Sequence, residues 1–447
     1  MKQVSLILIY FSFIAFHACS PLEDGLLLDG KNKAKWEKNG DVTIENGILS
    51  MIGKDAKATF NSGPYKNFIL NMEVRTTTGA IGAVWFHTNS KLKKGYSVAI
   101  NNTREDSSWW KLTGSLLSIR NLTKSLVKDH TWFDMQIKIE GQTITISIND
   151  KPVVEYIEPS EPYRIGEFSK RRLSKGVFSF ECQGNSEVQF RNMYITILDS
   201  PKNKEEIQRQ LAKSIDEKTN EIIRLHQEDF PVLDYHIHLK DSLTEDRAAA
   251  LSRKLGINYA VGYNSPITND DQIYEYLSEM RSQPFILGME ANGRDWVEHF
   301  SKDARNEFDF IFSDAMTSEE TWIEDEKEYM DMLVNRICEV LEEPINVYVN
   351  PCYLPFPLNK RYDELWTEER MNKVIDALVK NKKALEINET YKIPNKIMIL
   401  KAKKAGVKFT FGTNNSSDEL NQLEYCIQMK KECGLTADDM FKPKIKI

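Results

Sequence analysis

The chain has 447 residues, more than one hydrophobic core accommodates, so two or three domains are expected. Its formal net charge is −7, from 59 Lys and Arg against 66 Asp and Glu, and no long basic run occurs. That excludes a nucleic-acid binder relying on a cationic face. An apolar fraction of 41 % with 10 % aromatic residues excludes a disordered chain.

The first segment, MKQVSLILIYFSFIAFHACS, has one early lysine, then an apolar stretch interrupted by Ser12, and ends in Ala18-Cys19. Its shape is that of a secretory signal, too short for a membrane span. A small residue followed by cysteine at the cleavage point resembles a bacterial lipobox. The resemblance implies that Cys19 is lipidated and becomes the first mature residue. The chain is then expected outside the cytoplasm, periplasmic or at the cell surface, and held to a membrane by that lipid. The other cysteines are Cys182, Cys338, Cys352, Cys426 and Cys433, without a CxxC pair. They indicate neither a zinc knuckle nor a disulfide framework.

Residues 26–198 alternate apolar and polar positions in short runs such as FILNMEVRT, GYSVAIN, TITISIND and GVFSFECQ. Many strands without intervening helices predict a sandwich or jelly roll. Residues 201–228 are charged, with Ile207, Leu211, Ile215, Ile222 and Leu225 at roughly helical spacing, and predict a linker helix. From Phe230 onward strands alternate with amphipathic helices: VLDYHIH, NYAVGY, FILGMEA, FDFIFSD, INVYVNP, KALEIN and VKFTFGT. Seven such units imply a parallel sheet closed into an α/β barrel. The expected boundaries are a signal over 1–19, a jelly roll over 22–198, a linker over 199–229 and a barrel over 230–447.

Barrel chemistry sits at the C-terminal ends of the strands. There the sequence offers His236 and His238, then Asn264, Glu290, Asp314, Asn350, Glu386 with Asn388, and Asn414 with Asn415. In an extended chain residues i and i+2 face one way, so both imidazoles converge on one side. His236, His238, Asp314 and Glu386 are the candidate catalytic groups. Glu290, Asn350, Asn388 and Asn414 are candidate substrate contacts. His236, His238 and Glu386 are candidate ligands of one divalent zinc, manganese or iron ion, with Glu290 and Asp314 as further carboxylates. In the first half Glu73, His87, Tyr96 and the pair Trp109-Trp110 are candidates. The two indoles suit either stacking on a sugar face or packing.

Two resemblances follow from these motifs. The His-x-His ending the first barrel strand, the seven units and the later carboxylates resemble the polymerase-and-histidinol-phosphatase (PHP) domain. There, histidines and carboxylates hold up to three metals for phosphoester hydrolysis. This chain has Asn350-Pro351 where that family has His-Pro, and GTNNSSDE where it has Asp-x-His. At most one metal is therefore expected, or a metal-free pocket. The first half, with LLLDGKNKAKWE, VTIENGILSM, TGSLLSIR and GVFSFECQGNSEVQFRNMYITIL, resembles the 3-keto-disaccharide hydrolase family. That resemblance implies a concanavalin-like jelly roll and a carbohydrate ligand. The order of both halves also resembles a recurring two-domain arrangement of bacterial proteins. Three functions are then expected to compete: an enzyme on 3-keto-glycosides or disaccharides, a carbohydrate-binding protein with an inactive barrel, and a metal phosphoesterase.

Overall fold

The computed structural model describes residues 23–89, 94–102, 108–183, 186–200, 204–263, 269–291, 299–316, 325–417 and 423–446. Cys19 and Asn264 lie outside them.

Eleven antiparallel strands among these residues form the first half. They are β1 (Gly25–Leu26), β2 (Trp36–Glu45), β3 (Ile48–Tyr65), β4 (Phe68–Thr76), β5 (Ile81–Thr88), β6 (Tyr96–Ile100), β7 (Phe133–Glu140), β8 (Thr143–Ile148), β9 (Lys151–Ile157), β10 (Gly176–Gln183) and β11 (Glu187–Ile197). They pair in the order β6-β5-β10-β3-β11-β4-β7-β8-β9, with β1 on β11 and β2 on β3. The β4 run FILNMEVRT shows why: Phe68, Leu70, Met72 and Val74 are buried while the residues between them are not. The buried set joins one core with Phe178, Phe180 and Phe190 from β10 and β11. The result is the expected antiparallel jelly roll.

The second half is a closed parallel barrel of β12 (Leu233–Ile237), β13 (Asn258–Tyr263), β14 (Ile286–Glu290), β15 (Phe310–Ser313), β16 (Val347–Tyr348), β17 (Ala384–Asn388) and β18 (Phe409–Gly412). Asp234 paired with Phe411 closes it. Helices cover it outside, as a (βα)7 barrel requires.

The predicted linker helix is two helices, Lys204–Leu211 and Glu221–Gln227. Asn220 caps the second by accepting from the Ile222 N–H at 2.8 Å, so the chain restarts there rather than running through. This second helix belongs to both halves. Ile222 and Leu225 pack in the barrel core, and Ile223 packs in the jelly-roll core.

Residues 108–127, between β6 and β7, dock under the barrel at the N-terminal ends of its strands. The Lys124 Nζ donates to the carbonyls of Gln283 at 2.9 Å and Phe285 at 2.7 Å, just before β14. Thr123 N–H donates to Asn258 Oδ1 at 3.2 Å, and Asn258 Nδ2 returns a bond to the Asn121 carbonyl at 2.9 Å. Trp109 and Trp110 enter the cluster that fills the barrel floor, with Leu233, Tyr235, Ile286, Phe310 and Val347. Trp109 is therefore a packing residue whose faces are covered, and the stacking role read from the sequence does not fit it.

His226, on the shared helix, is also buried. Its Nε2 donates to the Gly256 carbonyl at 2.7 Å, and its Nδ1 accepts from Asn121 N–H at 3.3 Å. Burial, then the charge of Arg120, push its pKa down to about 3. His87 is held at about 4, chiefly by burial. In the unfolded chain both titrate near 6.5, so between these values the unfolded state binds the extra protons. Stability then falls as pH is lowered from about 6.5 toward 3. Urea midpoints should drop between pH 7.5 and pH 5, and His226→Gln should flatten that slope. An equal slope in the variant would place the pH dependence elsewhere.

Candidate functional site

At the upper end of the barrel, β12 carries one extra residue relative to β13. Asp234 pairs with Tyr259 but Ile237 pairs with Val261, so three steps on one strand match two on the other. This bulge re-phases the strand. Tyr235 points inward beside Phe310, with ring centroids 5.7 Å apart. His236 also points inward, 4.9 Å from the Phe312 ring. Gly262 on β13 makes room for this layer, since a Cβ there would meet the Phe312 ring at 2.5 Å and His238 Cε1 at 3.0 Å.

The two imidazoles meet through their Nε2 atoms, 3.1 Å apart. Each Nδ1 is tied to an acceptor. His236 Nδ1 faces Glu386 Oε1 at 2.8 Å, and His238 Nδ1 faces the Gly262 carbonyl at 3.0 Å. A carbonyl only accepts, so His238 Nδ1 carries the hydrogen, and neutral His238 presents a lone pair at Nε2. Opposite an ionised Glu386, which likewise only accepts, His236 also carries a hydrogen on Nδ1. Two lone pairs 3.1 Å apart repel unless a cation lies between them. That cation is a proton or a metal ion.

Electrostatics separate the two rings. Burial, then the neighbouring His236, push His238 down to about 3. Burial would also depress His236, but the Glu386 carboxylate beside it, with Glu290 and Asp234, overrides this and raises its pKa. Asp234 accepts from the N–H of His236 and from both the N–H and hydroxyl of Thr413. Burial nevertheless pushes its carboxyl up to about 7.

Glu290, at the end of β14, supplies the third converging donor. Its Oε2 lies 3.8 Å from His238 Nε2, and the ligand atoms of His236, His238 and Glu290 all fall within 4.8 Å of one another. Two imidazoles and one carboxylate, with both Nδ1 atoms anchored behind, is a donor set that fits one zinc-type ion with an open position.

This reassigns Glu386. It is not in the converging group of three, because both its oxygens are engaged: Oε1 by His236, and Oε2 by the Asn350 N–H at 2.7 Å and Asn388 Nδ2 at 2.9 Å. It stands behind His236 and fixes that ring. Gly412 permits it, since a Cβ there would lie 1.9 Å from Glu386 Oε1. Asn350 and Asn388, read from the sequence as substrate contacts, are buried and bonded within the protein. Asn350 Nδ2 donates to Asp314 Oδ2 at 3.0 Å, and its Oδ1 accepts from Asn388 Nδ2 at 3.0 Å. Asn388 Oδ1 accepts from the Tyr391 N–H at 2.9 Å. Asn350 also adopts a φ of +44°, a left-handed conformation that Asn tolerates. Asp314 and Asn414 remain half-buried at the rim.

The jelly-roll candidates are each bonded within the fold. Glu73 takes Arg191 Nε at 2.7 Å and is bonded by Asn192 across the sheet. His87 is buried, donating Nε2 to the Lys66 carbonyl at 2.9 Å and accepting from Ser174 N–H at 3.2 Å. Tyr96 is buried in a network with Glu158, Arg164 and, through Arg164, Tyr156 and Glu217.

Comparison with known proteins bears on the first half. The family model described as a 3-keto-alpha-glucoside-1,2-lyase-like domain matches residues 24–196. That match spans the jelly roll and not the barrel. No curated protein matches the chain significantly. Among solved structures, one from Parabacteroides distasonis, described as a candidate glycosyl hydrolase, shares 19 % identity. It covers 39 % of this chain and 94 % of that one, with a TM-score of 0.35. A second from the same organism shares 22 % identity over 40 % of this chain and 100 % of that one, with a TM-score of 0.33. A carbohydrate-binding module of Bacillus subtilis shares 14 % identity over 36 % of this chain and 93 % of that one, with a TM-score of 0.27. The matched jelly roll sits beneath the barrel, at the end opposite His236 and His238.

The Glu386→Gln substitution replaces the acceptor behind His236 with an amide that no longer fixes its tautomer. Zinc affinity, read by competition with a chromophoric chelator, should fall about 10- to 100-fold. Unchanged affinity would mean that Glu386 does not govern the His236 ring.

Proposed function

We propose that the chain is a glycoside-processing enzyme acting on 3-keto-glycosides, with its chemistry at the barrel mouth. The observation that carries this reading is the pair of Nε2 atoms of His236 and His238, 3.1 Å apart with Nδ1 of each ring anchored. A satisfied core histidine needs no such convergence. The lyase-like match over residues 24–196 supports this substrate class.

A ketone at C3 makes the C2 proton of a glycoside acidic. Its removal gives an enolate with the oxyanion at O3. Collapse of the enolate expels the oxygen at C1 and leaves a C1=C2 bond conjugated to the ketone. Water then adds across that bond. Asp314 is the base in this scheme. The Asn350 amide at Oδ2 and the Met316 N–H at Oδ1, 3.2 Å away, orient its carboxylate at the rim. Once protonated, it is the acid for the departing oxygen.

His236, His238 and Glu290 would hold one divalent ion, zinc, manganese or iron. When bound, such an ion is a Lewis acid toward a sugar oxygen. Glu386 keeps His236 in the tautomer that leaves Nε2 facing inward. Phosphoester chemistry of the multinuclear kind calls for more donors than the single converging group of three found among the described residues.

The lipobox-like Ala18-Cys19 supports an extracytoplasmic protein anchored through a lipid on Cys19. The mass of the mature N-terminal peptide reads this directly, and an unmodified start would remove the anchor from the account.

Turnover of p-nitrophenyl 3-keto-α-glucoside should release nitrophenol and produce a transient enone absorbance. Asp314→Asn should lower kcat by about 10²- to 10⁴-fold. Full activity in both Asp314→Asn and His236→Ala would move the chemistry out of the barrel.

A further inference from the structure

The loops after β16 and β17 enclose a cleft that the reaction scheme above does not use. Its volume is about 340 Å³, at the small end of the range for ligand sites. Tyr353, Asn359, Asp363, Tyr391, Lys392 and Asn395 line it. The two tyrosine rings lie 4.8 Å apart at 61° and form an open aromatic corner. Tyr391 is 37 % exposed, an unusual position for a large ring in a fold that buries most of its aromatics.

The corner is coupled to the barrel mouth by covalent and hydrogen-bonded structure. The Tyr391 N–H donates to Asn388 Oδ1, and Asn388 Nδ2 donates to Glu386, the carboxylate behind His236. Tyr353 follows Asn350 by three residues, and its N–H donates to the Asn350 carbonyl at 3.3 Å. The aromatic corner therefore hangs from the ends of β16 and β17, and Asn350 at the first of these donates to the candidate base Asp314 at the end of β15.

The polar lining selects the ligand class. Asp363 and Asn395 are bonded to each other at 2.7 Å, and with Asn359 they offer carboxylate and amide groups of the kind that bracket vicinal hydroxyls. Lys392 is the one cation among the lining residues, too little to bind a phosphate or a polyanionic glycan. Apolar ring faces beside neutral and acidic hydrogen-bonding groups suit an uncharged sugar ring, whose C–H face stacks on tyrosine while its hydroxyls reach the amides.

We propose that this cleft is a saccharide subsite that holds the sugar attached to the reacting one, so that the barrel binds a neutral disaccharide more tightly than a simple glycoside. The inference deepens the proposed function and rests on it for the placement of the reacting sugar.

Maltose binding to the full-length protein, followed by calorimetry, tests the subsite without requiring turnover. Maltose should bind more tightly than methyl α-glucoside. Tyr391→Ala should weaken maltose binding at least tenfold, Tyr391→Phe should restore it, and zinc affinity should stay at the wild-type value in both. Wild-type maltose affinity in both Tyr391→Ala and Tyr353→Ala, or no maltose binding by the wild type, would overturn the subsite. A Tyr391→Ala loss of maltose in a protein that does not turn over 3-keto-glycosides would support the subsite and overturn the reaction assigned to the barrel.

Discussion

The contact on which the barrel mouth depends is the bond from His236 Nδ1 to Glu386 Oε1 at 2.8 Å. Both groups are fully buried. An ionised carboxylate is costly to bury unless its lone pairs are satisfied. Here the Asn350 N–H, the Asn388 amide and the imidazole do so together. That arrangement turns His236 Nε2 toward His238. The left-handed backbone at Asn350 and the missing side chain at Gly412 are conditions for it, because either a different φ or a Cβ would displace the carboxylate. Asn350 and Asn388 thus work as hydrogen-bonding supports for the carboxylate that orients His236.

The opposite end of the barrel is filled by packed side chains. The jelly-roll segment carrying Trp109, Trp110 and Lys124 closes the floor, and the C-terminal tail packs Phe441 and Ile445 against the same cluster. Lys124 is buried with its charge held by two main-chain carbonyls that precede β14. The helix Glu221–Gln227 adds side chains to both cores. A jelly roll fixed in this way sets the barrel's lower strand ends, and among the described residues it contributes no side chain to the His236–His238 pair.

Much of this was legible in the sequence. The period-two runs and the strand–helix alternation mark the two architectures because one face or stripe of each element must be apolar. His236 and His238 were legible as a pair because alternate strand residues share a side. The bulge in β12 was not, since no local residue signals it, and it alone lets Tyr235 and His236 both face inward. The exchange of roles between Glu290 and Glu386 was hidden for a different reason. Both end barrel strands, and only the distances across the mouth show which one meets the Nε2 atoms. For Trp109-Trp110 the sequence allowed packing or stacking, and burial against the barrel floor selects packing. The tyrosine corner had no periodic signature, because its residues come from two loops.

The central claim is that the gap between the two Nε2 atoms is built for one metal ion. X-ray absorption at the metal edge of the zinc-loaded protein measures this most directly. The account predicts one equivalent of metal with two imidazole nitrogens and a carboxylate oxygen at about 2.0–2.2 Å, and loss of one nitrogen in His238→Ala. A protein that takes up no metal, or one that shows metal–metal scattering from a cluster, would contradict it.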